Sequence, residues 1–235
     1  GSADACGTIS LSVNQVDFDC SNIGENSVIL TVEDANGNLS TAVATVTVED
    51  LLAPVVVTRD ITVQLDDTGV ASILPEDLVE SATDNCGIES YSLDLDSFSC
   101  DQSENVVTLT VTDVNGNSVS VTAKVSVEDT SAPVVITRDL EVSLDASGNV
   151  SITAEQLNDA SIDNCGIASY SIDRSSFSCG DTGEHFVILS VTDHSGNTAS
   201  AEAIVTVNNP SGDNDVDGIQ DNCDEDDDND GIPDT

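Results

Sequence analysis

An internal repeat of about 79 residues constrains the fold of this 235-residue chain more than any other feature. The segment Asp84–Ile88 recurs unchanged as Asp163–Ile167, and Ser97–Cys100 recurs unchanged as Ser176–Cys179. Fainter versions of both segments stand near the N-terminus. A period of this length indicates one structural unit used several times in succession.

The repeat predicts four regions. Residues 53–131 (repeat 2) and 132–209 (repeat 3) are full copies, and residues 1–52 (repeat 1) align only with the second half of a copy. Residues 210–235 have a different composition, with acidic side chains at nearly every second position. We therefore expect a partial module, two complete modules and a distinct C-terminal segment.

Alternation of apolar and polar residues indicates strands. Residues 118–127 alternate almost without error, as do 40–48 and 198–207, and a preceding alternating segment is joined to each by a turn with Asn and Gly. A period of two with such turns predicts antiparallel hairpins. About seven strands per repeat predict an all-β fold of tandem immunoglobulin-like β-sandwich modules.

Two further local patterns stand in the first half of repeat 2. Residues 61–65 and 70–73 flank an Asp-Asp-Thr-Gly turn and predict another hairpin. Residues 75–79, and 153–157 in repeat 3, predict one short helical turn each.

The charge restricts the partners. Asp and Glu number 45 against four Lys and Arg, so the formal net charge is −41. Such a chain repels nucleic-acid phosphates and anionic lipid, which excludes both as partners. No apolar run approaches the roughly 18 residues of a membrane span, so no direct membrane insertion is expected.

Three motifs together resemble a known family. They are the Ala-Pro-Val-Val start at residues 53–56, the Asp-Asn-Cys-Gly segment at 84–87 with a second cysteine, and the Asp113–Asn117 hairpin turn. Residues 1–209 resemble hyalin-type immunoglobulin-like repeats of large secreted surface proteins of Bacteroidota, including gliding-motility adhesins. The resemblance implies type IX secretion, an extracellular location at the bacterial cell surface and a non-enzymatic role in adhesion.

Six of the seven cysteines fall into pairs with the same 14-residue separation. This spacing predicts one disulfide inside each repeat and an oxidising compartment. The predicted pairs are Cys6–Cys20, Cys86–Cys100 and Cys165–Cys179. Metal binding by the cysteines is the alternative, although no Cys-x-x-Cys motif accompanies them. Cys223 is left over, and we expect its partner to lie beyond residue 235; a free thiol or an intermolecular bridge is the alternative.

The C-terminal segment has the spacing of a calcium loop. Oxygen-bearing residues at loop positions 1, 3, 5, 9 and 12, glycine at position 6 and a carbonyl at position 7 suit a calcium ion. The predicted ligands are Asp213, Asp215, Asp217, the Ile219 carbonyl, Asp221 and Asp224 in the first loop, and Asp226, Asp228, Asp230, the Ile232 carbonyl and Asp234 in the second. The pattern resembles thrombospondin type 3 repeats; a disordered acidic tail is the alternative.

A second set of carboxylates predicts calcium at the junctions between repeats. The linkers contribute Glu49, Asp50, Glu128 and Asp129. The loops expected at the same pole of each sandwich contribute Asp84, Asp113, Asp163 and Asp193, with Asn115 and Asn197 in the same loops as Asp113 and Asp193. The alternative is that these residues only end strands and form turns.

The remaining charged residues give little sign of catalysis. Arg59 and Arg138 occupy equivalent positions beside an Asp and predict a salt bridge or hydrogen bonds to a neighbouring loop. His185 and His194 have no histidine counterpart in repeat 2 and no catalytic motif around them, so we expect no enzymatic activity.

The sequence therefore predicts a non-enzymatic stalk or adhesin segment, stiffened by disulfides and calcium. Its ligand, a surface glycan or a protein, is not specified, and its nearest partners are the neighbouring modules of the same chain. An accessory region of a secreted polysaccharide-degrading enzyme and a calcium-dependent filament module are the alternatives.

Overall fold

Short strands dominate the structure, a computed structural model that describes residues 7–214 and 219–224. The strands of this part are β1 (Ser10–Val13), β2 (Gly24–Glu33), β3 (Leu39–Val48), β4 (Val55–Thr58), β5 (Ile61–Gln64), β6 (Val70–Ser72), β7 (Val79–Thr83), β8 (Ile88–Leu93), β9 (Ser97–Ser99), β10 (Glu104–Asp113), β11 (Ser118–Glu128), β12 (Leu140–Ser143), β13 (Asn149–Ser151), β14 (Ile167–Ile172), β15 (Ser176–Ser178), β16 (Gly183–Asp193) and β17 (Thr198–Asn208). The all-β prediction is confirmed. None of the helices in these residues is long and apolar enough to cross a bilayer.

The chain forms two compact units whose limits do not follow the repeats. Unit 1 comprises Gly1–Ile61, Ile73–Asp96 and Glu104–Ser126, and unit 2 comprises Thr62–Ser72, Ser97–Ser103 and Val127–Thr235.

Unit 1 is built from antiparallel pairs. β1, β2 and β3 form a three-stranded sheet, β8 and β11 flank β10, and β4 pairs with β7. One face of β10 is buried because its apolar side chains alternate: Val107, Leu109 and Val111 are fully inaccessible to solvent. The apolar side chains of repeat 1 are more exposed, with Leu39 at 67% and Val43 at 72%.

Unit 2 contains a β-sandwich. One sheet has the order β12–β17–β16–β14, and a second sheet pairs β13 with β15. Phe177 of β15 packs with Val187 of β16 and Val205 of β17 in a core that Leu144, Ile152 and Leu157 complete. Alternating Val and Ala residues on the long strands and one Phe from the short strand therefore join the two sheets.

The helical turns and the two arginines follow the sequence predictions. Residues Pro75–Leu78 form a 3-10 turn and Ala154–Leu157 a short α-helix, α1. Arg59 Nε donates to the Asp77 carbonyl at 2.7 Å, and Arg138 Nε donates to the Gln156 carbonyl at 2.7 Å. Each arginine thus binds the backbone of the helical turn in its own repeat, which confirms the predicted hydrogen bond to a neighbouring loop.

The hairpin predicted for residues 61–65 and 70–73 is wrong. The turn forms, since Gly69 N donates to the Asp66 carbonyl at 2.9 Å, but β6 pairs with β9 and not with β5. In repeat 3 the equivalent strands part in the same way: β12 runs parallel to β17, and β13 pairs with β15. The chain passes from one sheet to the other at this turn.

The predicted disulfides inside the repeats are also wrong. The structure joins Cys20 to Cys86, Cys100 to Cys165, and Cys179 to Cys223. Cys6 lies outside the described residues, but its predicted partner Cys20 is bonded to Cys86. The expectation that Cys223 pairs outside this sequence is wrong as well.

Strand geometry explains the pairing of Cys165. This cysteine precedes β14, a six-residue strand that extends over about 20 Å, and β15, which leads to Cys179, belongs to the other sheet. A disulfide needs its two Cα atoms within about 7 Å. The two cysteines of one repeat therefore face different neighbours, and equal spacing within each repeat does not mean that they pair.

Candidate metal centres

Three aspartates of unit 1 converge at one end of its sheets. Asp50 follows β3, Asp84 follows β7, and Asp113 is the last residue of β10. One carboxylate oxygen from each lies within 4.8 Å of the other two. Asp50 belongs to repeat 1, whereas Asp84 and Asp113 belong to repeat 2, so this cluster (cluster 1) combines side chains from adjacent repeats.

Hydrogen bonds fix the carboxylates of cluster 1. Asn117 Nδ2 donates to Asp113 Oδ2 at 2.7 Å and to the Asp50 carbonyl at 3.1 Å. Cys86 N donates to Asp84 Oδ1 at 2.8 Å, and Asn85 Nδ2 donates to Asp50 Oδ1 at 3.2 Å. Amide donors thus hold the carboxylates together without adding positive charge.

Unit 2 contains the equivalent cluster 2, formed by Asp129 of repeat 2 with Asp163 and Asp193 of repeat 3. The side chains that donate hydrogen bonds to cluster 2 are asparagines, as in cluster 1. Asn197 Nδ2 donates to Asp193 Oδ2 at 2.8 Å and to the Asp129 carbonyl at 3.1 Å, and Asn164 Nδ2 donates to Asp129 Oδ1 at 3.3 Å. The arrangement therefore recurs from one pair of repeats to the next.

Each cluster contains a buried oxygen that lacks a protein partner. Asp50 Oδ2 in cluster 1 and Asp163 Oδ2 in cluster 2 are inaccessible to solvent and accept no hydrogen bond. A buried unsatisfied carboxylate oxygen is costly unless a cation or a donor reaches it. These two oxygens are suited to bind an ion.

Protonation does not remove the charge of Asp113, which is fully buried. Burial opposes its ionisation, but hydrogen bonds from Asn117, Asn115 and Gly116 outweigh that effect and lower the pKa of its carboxyl below the usual range. The four basic side chains of the sequence offer no compensation. Where the structure describes them, they bond elsewhere: Arg59 to Asp77, Lys124 to Glu104, Arg138 to Gln156 and Arg174 to Asp181.

The chemistry of both clusters suits a hard cation. Every candidate ligand atom is a carboxylate oxygen, the donor type that calcium prefers in its shell of six to eight oxygens. The structure does not bring Glu49 or Glu128 into the clusters. Successive side chains of an extended chain point in opposite directions, so Glu128 points away from Asp129 and accepts a hydrogen bond from Gln64 Nε2 at 2.8 Å.

A disulfide adjoins each cluster. Cys86 follows Asp84 by two residues and bonds to Cys20, and Cys165 follows Asp163 by two residues and bonds to Cys100. Each bridge joins adjacent repeats next to their acidic cluster. Three disulfides in one chain are typical of proteins from oxidising, extracellular environments.

The C-terminal calcium loop is described only in part. Asp213, Ile219, Asp221 and Asp224 lie in the described residues, whereas Asp215, Asp217, Asp226, Asp228, Asp230, Ile232 and Asp234 lie outside them. Asp221 Oδ1 accepts a hydrogen bond from Asn214 N at 2.7 Å. The loop prediction stays a prediction.

His185 contacts both the backbone and an aromatic ring of its own repeat. Its Nε2 lies 2.7 Å from the Asp181 carbonyl, its ring packs against Phe177 at a centroid distance of 5.5 Å, and Arg174 lies over the same Phe177 ring. Arg174 also pairs with Asp181 and lowers the pKa of that carboxyl to about 2. Through these contacts Arg174 and His185 both pack on Phe177 of β15.

The sequence reasoning placed Asn197 at a junction but missed Asn85, Asn117 and Asn164. Asn117 and Asn197 each bridge two segments of a cluster, and Asn85 and Asn164 each reach the linker of the preceding repeat. Two signals were available. The Asp-x-x-x-Asn turn occurs in every repeat, and Asp-Asn-Cys occurs a third time at residues 221–223.

Comparisons with known proteins give distant similarities. No family model matches the sequence, and no curated protein matches it. Among solved structures, protocadherin gamma B7 extracellular cadherin domains 1–4 are 13% identical, with 86% of this chain and 66% of that chain covered and a TM-score of 0.37. The chain thus spans just under two thirds of the length of that four-domain fragment.

Shorter cadherin fragments give similar values. Human mucin-like protocadherin EC1-2 is 18% identical, with 66% of this chain and 98% of that chain covered and a TM-score of 0.37. Protocadherin gamma C5 EC1-3 is 13% identical, with 80% and 78% covered and a TM-score of 0.38. These similarities are too distant to assign a function.

Proposed function

We propose that this chain is a non-enzymatic extracellular segment of a bacterial surface protein, a stalk or adhesin region in which disulfides and calcium hold tandem immunoglobulin-like modules together. The modules are residues 1–52, 53–131 and 132–209, and residues 210–235 form a thrombospondin type 3-like calcium string. One observation carries the proposal: adjacent repeats meet twice at a cluster of three aspartates next to a disulfide.

The two linkages have different roles. The disulfide joins two repeats covalently at one point, but a single bridge leaves the joined segments free to rotate about it. A calcium ion bound by Asp50, Asp84 and Asp113 adds a second connection beside the first, because its ligands come from a linker and from two loops of the next repeat. Two neighbouring connections restrict rotation more than either does alone.

Calcium also removes an electrostatic cost. The chain carries a net charge of −41, and each cluster places three carboxylates within 4.8 Å of one another. A divalent cation converts their mutual repulsion into coordination. Calcium in an extracellular medium therefore favours the ordered junction, and its removal favours a loosened one.

Hydrogen–deuterium exchange with and without calcium tests this proposal. The amides of Cys86 and Asn117 donate to Asp84 and Asp113, and their exchange is expected to slow at least about tenfold in saturating calcium, because opening the loop must then release the ion. The Asn38 amide donates to Asp34 in the same type of turn. Asp34 belongs to neither cluster, so Asn38 is the internal control.

The outcome separates a calcium-dependent junction from a purely covalent one. Slower exchange at Cys86 and Asn117 with no change at Asn38 supports the proposal. Equal exchange at all three amides with and without calcium contradicts it and leaves the disulfides as the only linkage.

A further inference from the structure

The triplet Asp221-Asn222-Cys223 lies outside the repeats but has the same sequence as Asp163-Asn164-Cys165. In repeat 3 the triplet precedes β14 of a sandwich, whereas residues Asp221–Cys223 form a short 3-10 turn. The two triplets thus belong to different local structures. Their contacts within unit 2 are nevertheless the same.

Each triplet docks against an equivalent surface, which we call the socket: Asp66, Gly69 and Cys100 in repeat 2, and Asp145, Gly148 and Cys179 in repeat 3. Asn164 Nδ2 donates to the Asp66 carbonyl at 3.0 Å, and Asn222 Nδ2 donates to the Asp145 carbonyl at 2.9 Å. The cysteine of each triplet forms a disulfide with the cysteine of its socket.

The backbone of the triplet also lies against the socket. Cys100 Sγ is 3.6 Å from the Asn164 carbonyl oxygen, and Cys179 Sγ is 3.7 Å from the Asn222 carbonyl oxygen. A Cβ atom on Gly69 would lie 2.8 Å from the Asn164 oxygen, and one on Gly148 would lie 2.8 Å from the Asn222 oxygen. Only glycine lets the triplet approach this closely.

The socket of repeat 3 has no acidic cluster beside it in the described residues. Asn209 stands where Asp129 stands one repeat earlier, and its Nδ2 donates to Asn222 Oδ1 at 2.9 Å and lies 3.1 Å from Cys223 Sγ. The triplet thus docks with a neutral residue at this position. Docking of the triplet therefore does not require a carboxylate at this position of the linker.

We infer that the end of each full repeat is a binding surface for an Asp-Asn-Cys segment, and that the triplet alone is sufficient to be recognised and captured as a disulfide. The partner class is any polypeptide segment that presents this triplet, whether it comes from a following immunoglobulin-like repeat or from a calcium string. The C-terminal segment is attached to repeat 3 because it presents the same triplet as the loop that precedes β14. The inference rests on the contacts of the sockets and not on the proposed calcium sites.

Two glycine substitutions in the full chain test the socket. After complete reduction, re-formation of each disulfide is followed by alkylation and peptide mapping. Gly148→Ala is expected to slow formation of Cys179–Cys223 at least about tenfold and to leave Cys100–Cys165 within about twofold, and Gly69→Ala is expected to do the reverse. Gly116→Ala is the matched control, since Gly116 has a similar φ of +91° and nothing within 4 Å of its added Cβ.

A peptide capture experiment covers the case in which these variants fold poorly. The Asn222→Ala/Cys223→Ser chain leaves Cys179 as a thiol and removes the hydrogen bond by which its own triplet occupies the socket. The probe is a peptide of residues 219–224 whose cysteine carries a thionitrobenzoate leaving group. The Cys179 thiolate attacks the peptide cysteine sulfur, and the bond to thionitrobenzoate breaks as that group departs as a thiolate. One disulfide is consumed and one is formed, so no oxidant is needed.

The peptide with the native triplet is expected to react about fivefold faster than the same peptide with Asn222→Ala, which loses one hydrogen bond to the socket. Equal rates for the two peptides would overturn the inference, as would unchanged formation of both disulfides in the Gly69→Ala and Gly148→Ala chains.

Discussion

Stretching the oxidised chain from its two ends is expected to release only a small part of its contour length. With Cys20 bonded to Cys86, Cys100 to Cys165 and Cys179 to Cys223, a force applied between Cys20 and Cys223 passes along only two peptide segments, 86–100 and 165–179. At up to about 3.6 Å per residue these segments and the three bridges span about 120 Å, whereas the reduced chain between the same cysteines spans about 730 Å.

The physical reason is that each disulfide bypasses most of a repeat. Unfolding a sandwich under load then exposes one short segment of about 50 Å, and the residues enclosed by the bridges bear no tension. A surface stalk with this pattern transmits force through its disulfides and does not unravel. Disulfides inside the repeats would leave a path of about 640 Å between Cys20 and Cys223.

Single-molecule force spectroscopy measures these lengths directly. The Cys100→Ser/Cys165→Ser chain lacks one bridge, and its extension is expected to be about 230 Å longer than that of the native chain. A reductant opens all three bridges and is expected to allow the full extension of about 730 Å. If the oxidised native chain reached about 640 Å between Cys20 and Cys223, that length would refute the disulfide pattern.

Calcium is expected to stabilise the chain strongly through the two clusters. A ligand at one hundred times its dissociation constant adds about 2.7 kcal/mol per site to the free energy of unfolding. For a chain of this size that corresponds to a rise of about 5–10 °C in Tm. Asp113→Asn removes one carboxylate of cluster 1 and is expected to abolish most of the contribution of that site.

Measurement without calcium isolates the effect of the substitution itself. Without calcium, Asp113→Asn relieves repulsion among three carboxylates but loses the hydrogen bond that Asp113 Oδ2 accepts from Asn117 Nδ2, one of the interactions that lower the pKa of this carboxyl, so the variant is expected to unfold at a lower temperature than the native chain. With calcium the difference between the two unfolding temperatures is expected to widen, because the native chain gains the stabilisation of the bound ion at this site. The control is Asp34→Asn, because Asp34 accepts the same turn hydrogen bonds from Asn38 but lies outside both clusters. Equal calcium responses in the two variants would contradict a site at Asp113.

The sequence predicts those parts of the fold that depend on local periodicity. The alternation at residues 118–127 identifies β11, and the Asp113–Asn117 turn joins it to β10. These features are predictable because side-chain period and turn chemistry are properties of neighbouring residues.

Features that depend on the relation between repeats were predicted less well. The cysteine spacing is equally consistent with bridges inside repeats and between them, and only the separation of β14 and β15 into different sheets decides the matter. Asp50, Asp84 and Asp113 were correctly placed near one another because strand ends at one pole of a sandwich converge. Glu49 and Glu128 were not distinguished from their neighbours, since the direction of each side chain depends on where its strand ends.

The central claim is that each acidic cluster binds one calcium ion, and the number of bound ions tests it most directly. Isothermal titration calorimetry of the native chain, the Asp113→Asn/Asp193→Asn chain and the Asp34→Asn control counts the sites of each. We predict that the double variant binds two calcium ions fewer than the native chain and that the control binds the same number as the native chain. A double variant that binds as many ions as the native chain, with the same affinity, would contradict the claim.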